Sequence, residues 1–326
     1  MTDWLLLDSA RRLLADTCTY EAVQAAETTG WSDPIWGALQ RSGYTDMTSI
    51  ELEDAVGLLT LAGEHAAPVP LAEATLAGWL LGTAPGGRVS VAPGGELRFD
   101  GGAVTGTSRR VPWGRAVERV VVVIDDRAVV LPAAGATIEP QANLAGEPRD
   151  LLRFDRARPE DIRPTDQDVR ELGALTRAAM MSGALTAMAR LTIAYAGERR
   201  QFGRPIAGFQ AVQQHLVSIA QDASLVAMAV QGAARAAQQR RAGFEIAAAK
   251  VLASQAALTA TRAAHQVHGA MGMTQEYRLH HFSRRLWVWR SEYGDEQYWS
   301  RRLGEAVAEA GADQLYPLIT GGSAVI

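Results

Sequence analysis

The chain has 326 residues, 48% of them hydrophobic and 21% charged, the balance of a folded protein rather than a disordered or fibrous one, and long enough for two or three units with sizeable cores. The formal net charge of -4 leaves no general basic field for a nucleic-acid backbone, so any anionic ligand must be held locally. The single cysteine, Cys18, excludes an intrachain disulfide framework and a CxxC metal or redox site, so no bound metal is expected and a reducing cytoplasm is the expected location.

The N-terminal stretch MTDWLLLDSARRLL carries acids and no basic segment ahead of an apolar one. No uninterrupted apolar run approaches a membrane-spanning length, so the chain reads as unprocessed and soluble, with no membrane partner. Over residues 3–82, WLLLDSARRLLAD and IELEDAVGLLTLAGEHAA place apolar side chains at three- and four-residue intervals with acids near each start, which predicts helices punctuated by Asp33-Pro34 and Gly43. Residues 84–158 change character. The runs RVSV, ELRF, VERVVVVI and AVVLP are short, alternating or β-branched, and Pro-Gly, Gly-Gly and Asp-Asp pairs separate them, which predicts a small antiparallel β domain.

From Glu147 to Asp166 the chain is charged and proline-bearing, the composition of a domain junction. From Asp166 onward it is rich in Ala, Leu and Gln and lacks strand signals, which predicts a helical bundle. Phe209, Val212, Leu216, Ile219, Ala223, Val226 and Val230 follow alternating steps of three and four, one stripe of a helix, with Gln213, Gln214, Gln221 and Asp222 on the opposite face. The expected organisation is a helical domain over 1–83, a β domain over 84–160 and a helical region over 161–326. The faces around Trp287, Trp289 and Trp299 are read as core or interface.

Two segments of the helical region carry groups suited to a dinucleotide. Arg199 and Arg200 offer forked donors to phosphate, and Gln201 adds an amide at a helix-to-turn junction where backbone donors are free. Gly269 and Gly272 permit a tight turn with close backbone approach, beside Gln266, which can meet an adenosine or phosphate edge.

The first segment, YAGERRQFGRPIAGFQ (195–210), resembles the signature of acyl-CoA dehydrogenases, where one long helix ends and the next begins. The second, HQVHGAMG (265–272) followed by TQEYRLHHFSRR, is similar to that family's glycine turn between its last bundle helices, and LAGEHAAPVPLAEATLAGWLL resembles its N-terminal helices. The resemblance implies an N-terminal helical domain, a middle antiparallel β domain and a C-terminal four-helix bundle, with FAD as cofactor. It also implies that the arginine, the Gln-Phe-Gly run and the glycine turn reach across a subunit interface to a partner's flavin. Those roles fall on Arg199, Gln201, Phe202, Phe209, Gln210, Gln266, Val267 and Gly269, with Ala270 where the family commonly has a second glycine.

The family's reaction needs a carboxylate to remove the α-proton of an acyl-CoA thioester while flavin takes hydride from the β-carbon. Where many members carry Glu-Gly-Thr, this chain reads RSEYGDEQYW, with Tyr293 in the place of the glutamate. Where others carry a glutamate beside an arginine on the first bundle helix, it has Thr176 before Arg177. Glu292 and Asp295 flank the first position and are the candidates for a base. Neighbouring helical positions point about 100 degrees apart, so Glu292 needs a different local backbone to serve, and the alternative is a solvated loop charge. Arg177 is a candidate substrate contact by the same resemblance, or else one half of a salt bridge.

In the β domain a Thr-Glu-Pro-Gly-Ser-Asp-like flavin loop is missing. Trp113, in RRVPWGRA, is read as a relic of a flavin-stacking strand or as core filler.

The pattern implied is that of the non-catalytic subunit of an α2β2 acyl-CoA dehydrogenase of the kind known for steroid side-chain and related catabolism in actinobacteria. Its expected partners are a homologous subunit carrying the catalytic glutamate, an acyl-CoA, and an electron acceptor such as electron-transfer flavoprotein. The alternatives are a self-sufficient homo-oligomeric dehydrogenase using Glu292 or Asp295, and a flavin-free binding or scaffold homologue.

Overall fold

The computed structural model describes residues 3–239 and 242–321. The chain forms two compact units, one of Met1–Ala55 with Ala67–Gly173, the other of Val56–Ala66 with Ala174–Ile326.

The predicted N-terminal helices are present as α1 (Trp4–Thr17), α2 (Tyr20–Thr29), α3 (Asp33–Arg41), α4 (Leu52–Glu64) and α5 (Leu71–Leu81). Side-chain caps set the first three starts: Asp3 accepts from the backbone N–H of Leu5 and Leu6, Thr19 from Ala22, and Ser32 from Ile35.

Eight strands follow: β1 (Val89–Val91), β2 (Gly95–Asp100), β3 (Ala103–Pro112), β4 (Arg119–Ile124), β5 (Arg127–Pro132), β6 (Ala136–Glu139), β7 (Arg149–Ala157) and β8 (Asp161–Pro164). They form two four-stranded sheets, ordered β1-β4-β5-β8 and β2-β3-β7-β6. One core serves both, built from Val120, Val122, Val129 and Leu131 of the first sheet and Val104, Val111, Leu152 and Phe154 of the second. Trp113 is fully buried in it under the Arg149 guanidinium, 5.0 Å from its ring centre, which supports the core-filler reading.

Two sequence expectations are corrected here. The domain is not wholly antiparallel, because β1 pairs parallel with β4; the β2–β3 hairpin between them carries the chain through the other sheet. The charged stretch after Glu147 is not merely a junction, since it forms β7, a central strand, and β8. The apolar residues of β7, Leu151, Leu152 and Phe154, are buried, and the arginines among them obscured that signal.

The second unit rests on α6 (Val169–Glu198), α7 (Gln210–Gln239) and α8 (Gly243–His268), followed by α9 (Leu279–Trp289), α10 (Glu296–Ala310) and α11 (Leu315–Gly321). Helix α8 packs against α7, α9 and α10. The stripe on α7 behaves as core: Ile219, Ala223, Val226 and Val230 are buried, while Phe209, Val212 and Leu216 pack on a small cluster of Ala196, Ile206 and Val267. Of the opposite face, Gln213, Gln214 and Gln221 are exposed, whereas Asp222 turns to α8 and accepts from Thr259 Oγ1 at 2.6 Å. Among the described residues α7 is the one helix long and apolar enough by composition to cross a membrane; its apolar run is broken by these polar side chains. Trp289 and Trp299 are buried packing residues, and Trp287 is partly exposed.

Candidate functional site

The region read as purely helical contains a short two-stranded ribbon between α6 and α7, which corrects that expectation. β9 (Arg200–Gln201) pairs antiparallel with β10 (Arg204–Pro205). Phe202 and Gly203 between them both have positive φ, 51° and 79°, the backbone of a two-residue turn that matches strand twist. The phenyl group of Phe202 at the tip is 91% exposed and meets Phe209 edge-on, with ring centres 6.0 Å apart. A bulky apolar side chain held in a left-handed backbone and pointed at solvent is costly in isolation, and such costs concentrate where the chain meets a ligand or partner. Arg204 lies over the Phe209 ring, its guanidinium carbon 4.2 Å from the ring centre.

This ribbon faces the end of α8. Together they bound a groove of about 540 Å³ lined by Arg199, Gln201, Phe202 and Phe209 on one side and by Gln266, Val267, Gly269 and Ala270 on the other. Eight residues singled out from sequence therefore share one cavity although the two segments lie some sixty positions apart. Gln210, the ninth, starts α7 and is not among the lining residues. The side chains of Arg199, Gln201 and Gln266 are exposed and have no hydrogen-bond or ion-pair partner among the described residues. Gly269 has φ 58° and ψ -136°, a conformation essentially restricted to glycine. Ala270 is exposed and is not among the residues with positive φ, so its methyl group imposes no backbone strain.

Tyr195, His268 and Met271 also line the groove and were not singled out from sequence. His268 is buried and stacks on Tyr195, ring centres 4.4 Å apart. Its only sequence signal is its position, the last residue of a helix before a glycine. Burial holds the pKa values of His265 and His268 below their ordinary 6.5, so both rings are neutral at pH 7.

Arg177, Glu292 and Asp295 do not line the groove. They lie around the turn between α9 and α10. Arg177 is 1% exposed, and its Nε donates to Glu292 Oε2 at 2.6 Å; its guanidinium carbon lies 5.4 Å from the centre of the Tyr293 ring. The helix-geometry objection to Glu292 is corrected because α9 ends at Trp289 and Glu292 lies in the turn that follows, its N–H donating to the Trp289 carbonyl, so helix periodicity does not fix its direction. The solvated-charge reading of Glu292 is corrected with it, since the carboxylate is held by a buried arginine. Asp295 has a structural task as the N-cap of α10, accepting from Tyr298 N–H at 2.8 Å.

Lys250, also unanticipated, lies under this turn. It is fully buried on α8, and its Nζ donates to the carbonyl oxygens of Arg290 and Gly294, both at 2.8 Å. It occupies a core position, three residues before Ala253 and four after Ile246, and that spacing could have marked it. Burial pulls its pKa down to about 7, against a raising effect of Glu292.

A base whose pKa falls on folding destabilises the fold most when protonated in both states, and that cost disappears as pH rises toward the unfolded value of 10.5. The stability of the wild type relative to Lys250→Met is therefore expected to increase by about 2 kcal/mol between pH 7 and pH 9. Denaturant titrations of both proteins at the two pH values measure this, and a flat difference would place the Lys250 pKa near its ordinary value.

Helices at both ends of the chain, a two-sheet β region between them and a ribbon facing a glycine turn define the acyl-CoA dehydrogenase fold. Residues 171–308 match the family profile described as acyl-CoA dehydrogenase, C-terminal domain. Acyl-CoA dehydrogenase FadE28 of Mycobacterium tuberculosis is 28% identical over 291 residues, covering 77% of this chain and 85% of the relative. Acyl-CoA dehydrogenase IpdE2 of Mycolicibacterium smegmatis is 27% identical over 299 residues, 86% of this chain and 91% of the relative. Among solved structures, the ChsE4-ChsE5 complex from Mycobacterium tuberculosis matches with a TM-score of 0.85 at 22% identity over 94% of this chain and 97% of the other. Residues 171–308 carry the acyl-CoA dehydrogenase C-terminal domain, and the chain has the fold of acyl-CoA dehydrogenases, flavin-dependent oxidoreductases with FAD as cofactor.

The groove fits part of that cofactor. A guanidinium and two carboxamides without partners among the described residues, beside a glycine turn whose backbone is open, suit a diphosphate and the polar edges of an adenosine.

Proposed function

We propose that this chain is the non-catalytic subunit of a heteromeric FAD-dependent acyl-CoA dehydrogenase and that its groove completes the FAD site of a homologous partner. The observation that carries this reading is the contrast between two regions of one unit. The groove presents unpaired donors outward, whereas the candidate carboxylate of the chain's own acyl site, Glu292, is bound by a buried arginine. The β domain supports it: only residues 92–94 join β1 to β2, too short a link to stand in for the family's flavin loop.

When bound, FAD supplies acceptance of hydride from the β-carbon of an acyl-CoA thioester. In this reading Arg199 neutralises diphosphate charge, Gln201 and Gln266 orient the dinucleotide, and Phe202 excludes water where the ribbon tip meets the partner. The partner brings the carboxylate that removes the α-proton, and an electron acceptor such as electron-transfer flavoprotein reoxidises the complex. A fold likeness to a Tcur3481-Tcur3483 steroid ACAD variant, at TM-score 0.84 and 23% identity, favours a bulky, steroid-type acyl-CoA.

The test is the visible spectrum and flavin-to-protein ratio of the chain purified alone and co-purified with its homologous partner. Only the pair should be yellow, with about one flavin per two chains, as one site per heterodimer requires. A yellow preparation of this chain alone, bleached by an acyl-CoA, would overturn the proposal.

A further inference from the structure

The last turn of α8 and the loop behind it form a cluster for which the groove's lining residues alone give no account. The buried ring of His268 packs against two tyrosines, 4.4 Å from Tyr195 and 4.9 Å from Tyr277, centre to centre, and the tyrosines meet edge-on at 5.8 Å. Its Nδ1 is 2.8 Å from the Ala264 carbonyl oxygen. A carbonyl only accepts, so Nδ1 carries the proton and Nε2 is the basic nitrogen. The backbone carbonyl of His268 accepts from the Tyr195 hydroxyl at 3.3 Å. The residues that follow, Gly269–Met273, form a short 3-10 turn. That turn folds back so closely that a Cβ on Gly272 would stand 2.9 Å from His268 Cβ and 3.3 Å from His265 Nδ1. His268 Nε2 and His265 Nδ1 are buried and have no hydrogen-bond partner among the described residues.

We propose that His268 is a positioning residue, which holds the Gly269–Met273 turn in its dinucleotide-facing shape only while its imidazole is neutral. The clamp has three parts: Nδ1–H on the helix end, the main-chain carbonyl on Tyr195, and the side-chain Cβ against which Gly272 is folded. The proposal rests on the reading that this turn contacts FAD.

Neutrality matters because a second proton must go to Nε2. That atom has no acceptor and no water-facing surface, so a charged ring there is buried without a partner. Relief requires the turn to move and admit water. The depressed pKa of His268, caused first by burial and also by His265, agrees with this geometry. The titratable groups around the ring are His265 on α8, Tyr195 on α6 and Tyr277 in the loop after the turn, with Glu198 and Arg278 acting on Tyr277. None of them supplies a carboxylate to His268.

The test uses the complex of this chain with its partner, loaded with FAD, and reads flavin fluorescence released as the pH is lowered from 8 to 5. The wild type should hold FAD at pH 8 and release it at a midpoint below the ordinary imidazole value of 6.5. His268→Phe retains the stacked ring but loses the Nδ1–H bond and the titration. It should bind FAD up to about tenfold more weakly at pH 8, the scale of one lost hydrogen bond, and lose the acid step. Tyr195→Phe removes only the hydroxyl, should weaken binding at pH 8 while preserving the acid step, and serves if His268→Phe does not fold. In the full chain without flavin, the backbone amides of residues 269–272 should shift in NMR spectra with the same midpoint as the His268 ring. If His268→Phe preserves both the affinity and the acid step, or if those amides do not follow the ring, the proposal fails. Retention of flavin by an Arg199→Ala, Gln266→Ala complex would instead remove the reading on which it rests.

Discussion

Glu292→Leu is expected to lower the unfolding free energy of this protein by about 3–5 kcal/mol, because it removes the carboxylate to which the buried Arg177 Nε donates. Arg177→Met alone should cost less, since Glu292 retains 18% side-chain exposure and can be hydrated. The double variant should recover most of the loss, as apolar replacements of a buried pair often do. Denaturant melts of the four proteins measure the coupling directly.

The same position separates a structural counterion from a base. Glu292→Gln keeps an acceptor for Arg177 Nε but cannot take a proton. In the assembled complex kcat should therefore be unchanged at saturating acyl-CoA, whereas loss of a general base costs about 10²–10⁴-fold or more. A fall of that size would return Glu292 to the active site and make this chain a dehydrogenase in its own right.

The second large effect concerns the cofactor. Arg199→Ala in the complex should weaken FAD binding by about tenfold to a hundredfold, the range expected for a charge-assisted hydrogen bond, and Gln266→Ala by about tenfold or less. Arg199 is exposed, so its share should shrink as salt is raised, while that of the uncharged Gln266 should not. Together the two substitutions should leave a complex that loses flavin on gel filtration, with the subunits still associated. Full flavin content after both changes would mean that the groove holds something else, or nothing.

These expectations draw unequally on sequence and structure. Apolar spacing on α1, α4 and α7, and the valine runs of β4 and β5, announce their elements because helix and strand periods are local properties of neighbouring residues. The groove residues were legible for a related reason. Arg199, Gln201, Gln266 and Gly269 lie within two short segments, and the positive φ that Gly269 requires is written into its residue type.

What the sequence could not display was where the chain returns. β7 was hidden because its place as a central strand depends on pairing with β3 and β6, and its arginines mask three buried apolar side chains. Glu292 was misread because its partner, Arg177, is 115 positions away, and because it lies in the turn beyond the end of α9, where helix periodicity no longer holds. Lys250 and His268 were passed over for the same reason. A lysine in an alanine-rich helix and a histidine before a glycine are ordinary in sequence. The first acquires its role from two carbonyls some forty residues downstream, the second from a tyrosine 73 residues upstream. Local pattern thus determined the elements and the groups available for a dinucleotide. Burial and pairing across distant segments, which only the folded chain brings about, decided which charges are neutralised inside and which donors remain for a ligand.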